Sequence, residues 1–63
     1  MQKKVRSLRQ RLDDAERDII INELRLTDGC VAGTARALKM PESTLRYAMR
    51  RHEINPEDYR PTK

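Results

Sequence analysis

The sequence has no tryptophan and no phenylalanine, and only two tyrosines among its 63 residues. Aromatic side chains are almost absent. A single cysteine, Cys30, excludes an internal disulfide, and with His52 as the one histidine it leaves too few ligands for a structural zinc site. No apolar run approaches membrane-spanning length, and the start Met1-Gln2-Lys3-Lys4 lacks the apolar stretch of a signal peptide. A cytoplasmic protein is expected. There is no Ser-His-Asp arrangement, no metal-ligand spacing and no phosphate loop, so neither an enzyme, a small-molecule substrate, a cofactor nor a metal is expected.

What the chain has is charge. Fourteen Lys and Arg against ten Asp and Glu give a formal net charge of +4, which suits an anionic partner. So polar a composition raises disorder as a competing reading, but the apolar residues recur in periodic clusters, the mark of amphipathic helices. A chain this short buries only a marginal core, so pairing with a second copy is the first expectation.

Three helices are expected, in an all-α domain spanning residues 1–63. The first runs over 4–27, a stretch without proline or glycine. Val5, Leu8, Leu12, Ala15, Ile19 and Leu26 fall on one narrow stripe at 100° per residue, while Ile20, Ile21 and Leu24 lie on another side. A helix with two apolar faces has two neighbours to satisfy. Thr27-Asp28-Gly29 ends it, because glycine takes the left-handed conformation at a helix C-terminus. A short helix follows over 31–39, with Val31, Ala35 and Leu38 on one face. Pro41 suits the first turn of a third helix, 41–52, which buries Leu45, Ala48 and Met49. Asn55-Pro56 stops any extension, and residues 55–63, Glu57 to Lys63 above all, read as a solvated tail.

Two short helices joined by a tight turn make a helix-turn-helix spanning 31–52, whose second helix enters the DNA major groove. The small residues Ala32, Gly33, Ala35 and Ala37 permit close helix approach, and Leu38, Met40 and Leu45 set the angle. The opposite face of the third helix carries Ser43, Arg46, Tyr47 and Arg50, with Glu42 at its N-terminal edge. Arg46 can grip guanine through two parallel hydrogen bonds. The hydroxyls of Ser43 and Thr44, with Arg50 and Arg51, suit phosphates, which fix register without reading sequence. Tyr47 either contacts the groove or covers the arginine stems. Cys30 reads as a small apolar packing residue, and His52 as a helix-end residue favourable to the dipole.

The segments Asp28-Gly29, Thr34-Ala35-Arg36-Ala37-Leu38 and Met40-Pro41-Glu42-Ser43-Thr44-Leu45, with Ile54, resemble the Fis-type helix-turn-helix. That is the fold of the factor for inversion stimulation and of the C-terminal domains of sigma-54-dependent enhancer-binding activators. Asp13-Asp14-Ala15-Glu16-Arg17-Asp18-Ile19-Ile20 is similar to the helix before that motif in the activators. The resemblance covers Leu8 to Ile54.

It implies a homodimer formed mainly through the first helix, with interface residues Val5, Leu8, Leu12, Ala15, Ile19 and Leu26. It also implies binding to double-stranded DNA in bacterial transcription regulation. By position in the motif, Glu42 and Arg46 correspond to base-reading residues, joined on the same face by Ser43 and Tyr47. Thr44 and Arg50 correspond to backbone-contacting residues, with Arg51 beside them. Two recognition helices about one DNA turn apart, roughly 34 Å, would meet successive major grooves. The absence of an ATPase core implies a domain excised from such an activator, its localisation the bacterial nucleoid; a freestanding Fis-like protein is the alternative.

Three positions depart from the family pattern. Lys39 stands for the usual turn glycine, Cys30 for the capping asparagine, and Glu53 for the glycine after the third helix. Thr44-Leu45-Arg46-Tyr47 also echoes MerR-type regulators, but there the motif opens the domain, whereas here a long helix precedes it. From another class, the rival is a helical interaction module whose arginines bind an acidic partner.

Overall fold

The computed structural model describes residues 7–61. Among them are three α-helices, α1 (Leu8–Leu26), α2 (Val31–Ala37) and α3 (Glu42–Arg51), followed by a 3-10 helix at Pro56–Tyr59. The expected all-α helix-turn-helix architecture is what forms. Helix α1 begins where Ser7 and Gln10 cap reciprocally: the Ser7 side chain accepts from the Gln10 N–H, and the Gln10 side chain accepts from the Ser7 N–H, each at 3.1 Å. The first helix was expected from residue 4; residues 4–6, Val5 included, lie outside the described residues.

Ile20, Leu24, Ala35, Leu45, Ala48, Met49 and Ile54 form the buried core, with Ile21, Val31, Leu38, Met40 and Tyr59 packed around it. The expected division of α1 holds: Ile20 and Leu24 face the chain's own helix-turn-helix. Of the four small residues expected to bring the helices together, only Ala35 is buried. Ala32 and Ala37 are exposed and Gly33 is half-buried, because one face of a seven-residue helix accounts for the whole contact.

The α1–α2 corner is closed by a polar contact. Thr34 is fully buried, and its hydroxyl donates to the Cys30 carbonyl at 2.8 Å and lies 2.8 Å from the Thr27 hydroxyl. Burying a hydroxyl costs little when both its roles are filled.

Two expectations are corrected. Cys30 is not a packing residue: it is exposed, and its sulfur accepts from the Gly33 N–H at 3.3 Å, capping α2 where oxygen would ordinarily serve. Nor is the described part of 55–63, residues 55–61, simply a solvated tail. The Asn55 side chain accepts from the Glu57 N–H at 3.1 Å, Pro56 takes the first turn of the 3-10 helix, and Tyr59 packs on the core.

Two of the departures from the family pattern have left-handed backbone, Lys39 in the turn between α2 and α3 and Glu53 in the turn after α3. Lys39 has φ 55° and Glu53 φ 58°, left-handed conformations that L side chains adopt at a cost of roughly 1–2 kcal/mol. Backbone bonds hold both turns: Met40 N–H donates to Ala35 O at 3.0 Å, and Ile54 N–H to Met49 O at 2.8 Å.

Candidate nucleic-acid interface

Helix α3 is amphipathic at the expected spacing. Leu45, Ala48 and Met49 are buried, while Ser43, Arg46, Tyr47 and Arg50 occupy the opposite, exposed side at intervals of three and four residues. Tyr47 is 65% exposed, which leaves its ring free for a partner. Thr44 is exposed on the adjoining flank. The N-terminus of α3 has no side-chain cap; Pro41 occupies the cap position, so that first turn is open to solvent.

Glu42 and Arg46 are not independent. Arg46 Nη2 donates to Glu42 Oε2 at 2.7 Å across one helical turn, with both side chains about half-exposed. An exposed pair of this kind adds little stability. Its consequence is geometric: the carboxylate ties the guanidinium to the first turn of α3 and uses one of its five N–H donors.

Arg51 is placed differently. Its guanidinium turns back to α1, donating to Asp13 at 3.1 Å and to Glu16 at 2.5 Å. The hydrogen bond with Asp13 raises its pKa above the ordinary arginine value, with burial opposing. His52 Nε2 lies 2.7 Å from the same Glu16 oxygen. Sequence reading missed this cluster, since helix periodicity cannot pair residues 35 to 38 positions apart. Asp13, Glu16 and His52 bring potential ligand atoms within 4.8 Å of one another, but the Arg51 guanidinium already answers both carboxylates.

The outer stripe of α1 is open. Leu8, Leu12, Ile19 and Leu26 are 71, 60, 52 and 77% exposed, and Ala15 is exposed between them. Leu12, Ala15 and Ile19, with Leu38 and Met40, line an apolar groove of about 350 Å³ beside the core. No helix among the described residues is long and apolar enough to cross a membrane.

The family model for bacterial regulatory proteins of the Fis family matches residues 11–52, from the second turn of α1 to the end of α3. The chain belongs to the Fis family. No curated protein and no solved structure matches it. Membership carries a DNA-binding regulatory function with DNA as the partner, and the matched segment contains the exposed face of α3.

Proposed function

We propose that this Fis-family domain binds duplex DNA sequence-specifically as a homodimer, laying α3 in the major groove. The observation that carries the reading is the exposed stripe Ser43-Arg46-Tyr47-Arg50, presented by a helix whose other face is locked into the core. Arg46 reads guanine, with Glu42 either holding it or accepting from cytosine N4. Ser43 and Tyr47 contact bases, and Thr44 and Arg50 contact phosphates. Arg51 joins the phosphate contacts only by releasing Asp13 and Glu16, so it ranks behind Arg50.

The partner across Leu8, Leu12, Ala15, Ile19 and Leu26, with Val5 at the N-terminal end of the stripe, is a second copy of the chain. Four large exposed aliphatics on one helix form an apolar surface that a monomer rarely leaves to water. The similarity of 13–20 to the corresponding activator helix supports a parent protein of the sigma-54-dependent class, with an attached ATPase domain, acting in the bacterial cytoplasm.

The test is fluorescence anisotropy with a labelled mixed-sequence duplex across a salt series. Binding that weakens steeply with salt reports phosphate neutralisation and counterion release. Folded protein that does not bind even at low salt refutes the reading and favours a helical module for an acidic protein partner.

A further inference from the structure

The segment after α3 is held against the DNA-binding body by several contacts. A Cβ built at Gly29 would lie 2.6 Å from the Pro56 carbonyl oxygen, 2.7 Å from Arg60 Cγ and 3.2 Å from Arg60 N. The backbone of the 3-10 helix and the stem of Arg60 therefore occupy the space that any other residue at 29 would fill. The Arg25 guanidinium sits 5.9 Å from the centroid of the Tyr59 ring. Arg60 N–H donates to Glu57 O at 3.3 Å and ends the turn.

This docking puts Arg60 in a defined place. Together with Arg46 of α3 and Val31 and Ala32 of the first turn of α2, it lines one open cleft of about 620 Å³. In a docked helix-turn-helix the first helix of the motif crosses the DNA backbone while the second enters the groove. A cation that shares a cleft with the first turn of α2 and with Arg46 is near the path a phosphate strand would take in that docking. The carboxylates at the cleft do not close it off. Glu42 is engaged by Arg46, and Glu57 Oε2 is 3.8 Å from Arg60 Nε, a loose contact on two side chains more than half exposed. Asp28 is the remaining carboxylate there, so the cleft carries three carboxylates against two guanidinium groups, a formal excess of one negative charge that a phosphate contact by Arg60 has to outweigh locally.

The geometry points to Arg60 as a phosphate-contacting residue outside the helix-turn-helix, delivered to the DNA flank by the 3-10 helix docked on Gly29. This inference rests on the DNA-binding reading above. Arg60 contributes charge and register but no base discrimination, and it lies beyond residues 11–52.

The experiment compares wild type, Arg60→Gln and Gly29→Ala in anisotropy titrations on a preferred-site duplex and a mixed-sequence duplex across a salt series. Circular dichroism establishes that each variant is folded. Arg60→Gln keeps the stem against Gly29 and removes the charge. Expected is an equal fold-loss of affinity on both duplexes and a log–log salt slope shallower by about 0.9 for each bound protomer. Gly29→Ala, which displaces the segment, should give the same shallower slope where it folds. Wild-type affinity and slope for Arg60→Gln, with the wild type binding normally, would overturn the assignment and leave the DNA reading standing. A loss confined to the preferred site would also overturn it, since it would make Arg60 a base reader. A wild type without salt-sensitive binding would remove both.

Discussion

The two apolar faces of α1 are alike in residue type and opposite in fate. Ile20 and Leu24, four residues apart, are 2% and 0% exposed, whereas Leu12 and Ile19 on the other face are more than half exposed. Helix propensity and hydrophobicity do not separate the two sets; what separates them is which one the chain can fold back upon. Turns at Gly29 and Lys39 return α2 and α3 to the Ile20–Leu24 side, and no described element covers the other. The lesson is that one face stabilises the monomer while the other, equally apolar, is left exposed.

The largest expected effect tests the inner face. Leu24→Ala removes a fully buried side chain at the centre of the core and should cost about 2–5 kcal/mol, enough to unfold a domain this small. Urea denaturation followed by circular dichroism measures it; a loss under about 1 kcal/mol would mean the inner face is not the core. The outer face should respond otherwise. Leu12→Asp places a charge in the exposed stripe, so sedimentation should show monomer in place of dimer, with helix content retained. A dimer unchanged in sedimentation would place the interface elsewhere.

Arg46→Ala should lower affinity for a preferred site by about 1–3 kcal/mol and relax discrimination at one base pair, with neither face of α1 disturbed. Equal binding of variant and wild type would take Arg46 out of the readout. The smallest effect sharpens the inner body alone. Lys39→Gly relieves a left-handed non-glycine residue and should raise stability by about 0.5–1 kcal/mol, net of the entropy glycine loses on folding. A thermal midpoint that fell would show that the lysine stem contributes packing beyond its backbone strain.

Much of this was legible beforehand because it depends on local periodicity. The split of α1 into Ile20–Leu24 and Leu8–Leu26 faces, the break at Gly29, and the burial of Leu45, Ala48 and Met49 all follow from 3.6-residue spacing and glycine's access to positive φ. Helix ends were less legible. The Ser7–Gln10 capping box fixes the start of α1 through side chains that periodicity does not weigh, and α2 stops at Ala37 because Lys39 turns left-handed two residues later. The last segment was misread because polar residues dominate it. Asn55-Pro56 reads as a stop signal, yet a capping Asn before a Pro also starts a helical turn. Tyr59, three residues on, was the clue that the turn had something to bury.

By itself the amino-acid order determined the three α-helices, their apolar faces and the exposed row Ser43-Arg46-Tyr47-Arg50, since each is set by periodicity within a few residues along the chain. Only the tertiary structure decided which cations are free to meet an anion. Arg50 and Arg51 are neighbours on one helix, yet Arg51 is drawn to Asp13 and Glu16, while Arg60, distant in sequence, comes to the cleft beside Arg46. Charge is read along the chain, but pairing is settled by which helices meet. A carboxylate within hydrogen-bond reach competes with DNA for a guanidinium whatever the distance between them in sequence.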